Sequence, residues 1–278
     1  MTVTDAAPPA AATVLAKAAF GDDPGRWPLP AAGTPHELWL RAVVAGGQGR
    51  YGSAFADLAA LQRAAGASPV ASLGHSTRGS FLRQLGWHVR ARTCDGRAWA
   101  LAMHDVAGAG TDREAGADAL IGLAADALGV RRFAASQRSL ERARHLLADG
   151  PPPARLPVRL AWVTAELAMA TGDGAAAIGH AQRAVELAGT LGSARHVVKS
   201  EVILAAALCS AGDLQRSRAV ADAALETTDR LGLTPLRWAL ACLLAAVGSE
   251  RHSPTVVLGI RDVTADTVRM RGGVWSDR

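Results

Sequence analysis

The feature that most constrains this chain is a recurring punctuation by glycine. Breaks at Gly49, Gly96, Gly129, Gly172, Gly212 and Gly248 separate alanine-rich amphipathic stretches, each long enough for several helical turns. Self-similarity at about 40 residues is the signature of stacked helix pairs, in which no single hairpin buries its own apolar face. Runs that alternate apolar and polar residues with β-branched side chains are few, so strands do not compete. Composition points the same way. Hydrophobic residues make up 49% of the chain but aromatics only 4%, and alanine supplies much of the difference. Alanine is the best helix former, and its small side chain lets backbones approach closely. The expected fold class is all-α: an α-solenoid of about six antiparallel helix pairs.

Residues 1–33, rich in Ala and Pro, read as a disordered or weakly ordered N-terminal tail, with Thr13–Phe20 able to form a turn or two of helix on docking. Residues 34–278 read as one helical-repeat domain. It opens on Thr34 as N-cap, Pro35 at the first helical position and Glu37 three residues on, the pattern of a capping box. It closes on a terminal capping helix at about 254–271. There Ser253 is the N-cap, Pro254 follows, Val257, Ile260, Thr264 and Val268 share a face, and Gly272-Gly273 ends the helix.

Two units align without gaps. ATGDGAAAIGHAQRAVELA and SAGDLQRSRAVADAALETT pair Gly172 with Gly212, Asp173 with Asp213, and Ala184 with Ala224. Tyr51 and Ala54 follow Gly49 in the same way, with Ala54 matching Ala177 and Ser217. Trp39, Trp162 and Trp238 each stand ten residues before their turn glycine. Over residues 34–271 this pattern resembles the tetratricopeptide-repeat (TPR) superfamily, although the spacing departs from its regular period and most loops lack its closing proline. The resemblance implies a right-handed superhelix whose first helices line a concave groove that binds protein segments.

The formal charge is +5 and the pI about 9.8, but Lys17 and Lys199 are the only lysines. An arginine excess of this kind accompanies a composition rich in Ala and Gly, and by itself it does not argue for nucleic acid. Cys94, Cys209 and Cys242 are odd in number and far apart, which fits a reducing cytoplasm better than a disulfide framework. The N-terminal stretch lacks a basic region ahead of its apolar residues, and no apolar run has the length of a membrane span.

Motifs suggestive of catalysis resolve into turns and caps. GQGRYG at 47–52 follows a helical stretch and not a strand, so it reads as a turn and not a dinucleotide loop. GHSTRG at 74–79 lacks the second glycine of a nucleophile elbow and has no leading strand, so Ser76 or Thr77 reads as an N-cap. The histidines show no metal-ligand spacing. Neither a cofactor nor a metal is expected.

Two basic surfaces remain. On FLRQLGWHVRARTC, read as one helix, Arg83, Trp87 and Arg90 fall at i, i+4 and i+7 and present a tryptophan between two arginines to the groove. On RRFAASQRSLERARH, Arg131, Arg138, Arg142 and His145 form a second stripe. The sequence therefore suggests a non-catalytic scaffold that binds a protein or peptide segment, an acidic one being the natural complement. A regulatory or sensor module acting on a transcription or signalling partner is the alternative, and a serine-dependent hydrolase resting on Ser76 is a weaker one. Neither nucleic acid nor membrane is expected as a partner.

Overall fold

The computed structural model describes residues 10–104, 112–148, 150, 152 and 154–276. These residues are all-helical, with no strand among them. The helices are α1 (Ala11–Phe20), α2 (Pro35–Gly47), α3 (Tyr51–Ala64), α4 (Pro69–Gln84), α5 (His88–Ala102), α6 (Arg113–Gly129) and α7 (Phe133–Ala148). They continue as α8 (Arg155–Ala170), α9 (Gly174–Leu191), α10 (Ala194–Ser210), α11 (Leu214–Arg230), α12 (Thr234–Val247) and α13 (Pro254–Met270). No helix of the described residues is long and apolar enough to cross a membrane.

Helix starts follow local chemistry. Thr34 and Glu37 form the expected capping box on α2, and the Asp173 and Asp213 side chains accept from Ala176 N and Arg216 N at the two aligned turns. Ser253 caps α13 ahead of Pro254.

Seven of the helix ends among the described residues share one device. In the turn after α2, Arg50 N–H donates to Ala45 O and Gly49 N–H to Gly46 O, while Gly49 holds a φ of 75°. This is the Schellman arrangement, in which a left-handed residue lets the chain satisfy the last helical carbonyls. The same two bonds recur after α4 (Trp87 to Leu82, Gly86 to Arg83), α8 (Asp173 to Ala168, Gly172 to Met169) and α10 (Asp213 to Leu208, Gly212 to Cys209). They recur again after α11 and α13.

This device corrects two sequence readings. The break between α4 and α5 lies at Gly86 (φ 88°), whereas Gly96 is interior to α5. After α6 the left-handed position is Arg131, with a φ of 60°, and not Gly129. The motif tolerated a non-glycine there, which hid the turn from a search for glycine.

Consecutive helices pack as neighbours, and the even-numbered helices α2 to α12 also touch one another in series, forming an inner layer. The odd-numbered helices α3 to α11 lie behind, each against its own partner and the next inner helix. Alanine sets the spacing. The buried face of α9 is Ala177, Ala181, Ala184 and Ala188, all without solvent exposure. Gly46 of α2 is so close to α4 that a Cβ there would overlap the Phe81 ring.

The stretch read as a weakly ordered tail is ordered from residue 10, and residues 1–9 lie outside the described residues. α1 buries Leu15, Ala18 and Ala19 against α2, and Gly21 O accepts from Ala194 N at the start of α10. Gln48 then donates to Pro24 O and Arg26 O. At the other end Val268 of α13 joins Tyr51, Phe81 and Leu85 in one apolar cluster. Arg271 O accepts from Gly52 N at 2.9 Å, and Leu85 O accepts from Ser276 N at 2.8 Å. The terminal helix thus contacts the first pair as well as α12, so it does more than cap an open end.

The shared turn yields a paired test. Gly172 has no neighbour within 4 Å of a would-be Cβ, so Gly172→Ala probes φ alone and is expected to cost about 1–2 kcal/mol. Arg131→Gly is expected to gain about 1 kcal/mol by the same principle. Urea denaturation of both variants checks the opposite signs.

Candidate ligand cavity on the inner face

The inner helices line a partly open cavity of about 460 Å³, to which α2, α4, α6, α8, α10 and α12 all contribute. α1 covers it through Phe20, and the C-terminal segment through Trp275.

Its aromatic wall is built by the repeat. Trp39 on α2 donates from Nε1 to Thr77 Oγ1 on α4 at 2.9 Å, and Trp162 on α8 donates to Ser200 Oγ on α10 at 2.8 Å. Both bonds span 38 residues, so an equivalent tryptophan is fixed by an equivalent hydroxyl one unit later. Trp238, the third of the series, instead packs on Trp275 with ring centroids 4.3 Å apart. Trp162 also stacks on His196 at 5.3 Å.

Cations line the same space. Arg155 and Arg159 project from α8, Arg195 and Lys199 from α10, and Arg83 from α4. Arg155 pairs with Glu114 and Asp118, both at 3.0 Å, and its guanidinium lies 5.7 Å from the Trp39 ring. Arg159 pairs with Asp118. Burial, followed by repulsion from Arg83 and Arg195, pushes the Arg159 pKa down to about 10. Burial lowers those of Arg155 and Arg195 as well. Burial and the three nearby arginines hold His196 well below the usual histidine range, so its ring is neutral at pH 7. Its Nδ1 meets Ser193 Oγ at 2.8 Å.

Behind this wall sits a buried acid pair. Asp95 of α5 and Asp126 of α6 both contact Arg83, which is 9% exposed, while the two carboxylates are fully buried. Room for Asp95 comes from Gly79 and Gly122, where a Cβ would overlap its carboxyl. Burial raises the Asp95 pKa to about 7 against the pull of Arg83, with Asp126 adding to the rise. Burial raises the Asp126 pKa as well, so the pair retains a proton into the neutral range.

The six residues singled out from sequence are dispersed. Arg83 reaches the cavity, but as the ion-pair partner of Asp95 and Asp126. Trp87 is separated from it by the Gly86 turn and stands just before α5, so the single-helix i, i+4, i+7 stripe is not formed. It is half-buried, with Arg90 stacked 4.3 Å from its ring, and its Nε1 donates to Val274 O at 2.7 Å. Trp87 therefore grips a segment of its own chain. Arg131 is in the turn before α7 and not on its helical face. Arg138 and Arg142 are exposed on α7, an outer helix, with Arg142 set 4.7 Å from the Trp99 ring. Ser76 is interior to α4, whose N-cap is Ser68, so it caps no helix.

Arg155, Arg159, Arg195 and Lys199 escaped the sequence reading, yet they carry a signal. Arg155, Arg159 and Trp162 repeat the i, i+4, i+7 spacing sought at Arg83, and Arg195 and Lys199 stand at i, i+4. Compared with known proteins, the chain matches no family model and no curated protein.

The acid pair makes stability depend on pH. The unfolded chain releases the Asp95 proton near 3.8, whereas the folded chain holds it to about 7. Asp95 therefore favours folding fully below pH 3.8, and this contribution is lost as the pH rises to about 7. Asp95→Asn is expected to abolish that loss. Urea midpoints of both proteins across this range should diverge in slope, and parallel profiles would reject the account.

Proposed function

We propose that the chain is a non-catalytic ligand-sensing module: a TPR-like solenoid of six helix pairs, α2–α3 to α12–α13, wound right-handed, that takes a small molecule into its concave cavity. The observation that carries the reading is that α1 and the described residues after α13 both fold back to the rim of that cavity. α1 crosses it between α2 and α10, and the residues after α13 fasten to Gly52, Leu85 and Trp87. A partly open cavity of about 460 Å³ falls within the roughly 300–1,000 Å³ of small-molecule sites, and such sites combine apolar walls with a few polar groups. An extended protein segment, the occupant first suggested by the groove, would have to displace α1.

Sensing follows from the same enclosure. A ligand that prefers the closed arrangement stabilises the two end segments where they lie, and a ligand changes a conformational balance only by such differential affinity. A regulatory partner on another chain, in transcription or signalling, would then read the disposition of those ends. The hydrolase alternative draws no support from the geometry. Ser76 is mid-helix and not at a strand-to-helix turn, and its neighbour His75 faces Gln62 at 3.4 Å.

A thermal-shift screen of small molecules on the full chain tests the reading. Hits should raise the melting temperature of the wild type, and Ala239→Phe, which fills the cavity from α12, should abolish the rise. Failure of every compound, or hits that persist in Ala239→Phe, would sink it.

A further inference from the structure

The inner charges can be balanced residue by residue, and the balance narrows the ligand. This step rests on the cavity-binding reading above. Arg155 and Arg159 are met by Glu114 and Asp118. Arg83 is met by Asp95 and Asp126, so it leaves no cation unpaired. Lys199 is met by Glu166 at 3.7 Å. One cation is left. Among the described residues no acidic side chain pairs with Arg195, and its guanidinium stem lies flat over Gly47, whose would-be Cβ is 3.2 Å from Nε. Its neighbours His196 and Tyr51 are uncharged near neutral pH, because burial lowers the first and raises the second.

Arg195 is half-buried, so its guanidinium stands open to the cavity with no counter-charge, and a carboxylate presenting two oxygens is its best geometric complement. A dianion fits less well. Its second charge would find the remaining cations already paired and would face Asp118 and Glu166. The rest of the ligand meets Trp162, Val163, Leu236 and the Trp238–Trp275 pair, a wall suited to a flat apolar body.

We propose that the cavity binds a small aromatic monocarboxylate, its carboxylate on Arg195 and its ring against the tryptophans of α8 and α12. The monoanion is selected by the single uncompensated arginine, and the ring by the walls.

Three probes with one ring separate the possibilities: 2-naphthoate, 2-naphthamide and 2-naphthyl phosphate, each titrated calorimetrically into the full chain. The carboxylate is expected to bind at least ~10-fold tighter than the amide and the phosphate, a difference equal to about 1.4 kcal/mol. Arg195→Gln should erase that preference and leave the amide affinity unchanged. The same variant should melt no lower than the wild type without ligand, since it removes an unpaired charge. Arg195→Lys should keep the preference for charge in weakened form. Equal binding of carboxylate and amide, tighter binding of the phosphate, no binding of the carboxylate, or an unaltered preference in Arg195→Gln would overturn the proposal. If the thermal-shift hits that depend on the cavity are all neutral or cationic, the sensing module stands and the monocarboxylate alone falls.

Discussion

Contact between the last helix and the first pair is the constraint on which the rest of the structure depends. Helix pairs stacked in an open row expose an unsatisfied face at each end. Here Val268 enters the apolar cluster of Tyr51, Phe81 and Leu85, and the following residues bond to Gly52 and Leu85. Glycines permit the approach: Gly272 lies so near Gly52 that a Cβ would fall 2.8 Å from its backbone. With the first and last pairs held together, the inner face surrounds a space, and that space becomes a cavity.

The enclosure changes the meaning of its charges. On an exposed helix face an arginine is solvated and an ion pair contributes little. Inside the cavity each charge is partly withdrawn from water, so it must be paired, neutralised or matched by a ligand. Arg155 and Arg159 are paired, burial holds His196 neutral and raises the Asp95 and Asp126 pKa values, and Arg195 has no acidic partner among the described residues. The tryptophans face the same space because the repeat ties Trp39 to Thr77 and Trp162 to Ser200 in register. Periodicity in the chain thus becomes a wall of aromatic rings.

Much of the fold was legible because its signals are local. Alanine content, the Thr34–Glu37 capping box, the Asp173 and Asp213 caps and the Ser253-Pro254 start all act within a few residues of one another. The turn at Gly86 and the left-handed Arg131 were less legible, since the Schellman arrangement is defined by backbone torsion and glycine marks it only by preference. The arginines singled out from the sequence are not brought together on one helix. Arg83, Trp87 and Arg90 have a suggestive spacing, but Gly86 breaks the helix that would align them. Arg155, Arg159 and Trp162 have the same spacing on an unbroken helix.

By itself the sequence determined that the chain is helical, where several helices begin, and that tryptophan recurs at one position of the unit. Caps, propensity and apolar period are properties of neighbouring residues, so they need no knowledge of the rest of the chain. Only the tertiary structure decided that the first and last pairs meet, that α1 lies across the inner face, and that among the described residues the cavity's Arg195 has no acidic partner. Those outcomes join residues as distant as Trp87 and Val274. They depend on the accumulated angle between successive pairs, and no local pattern encodes that sum.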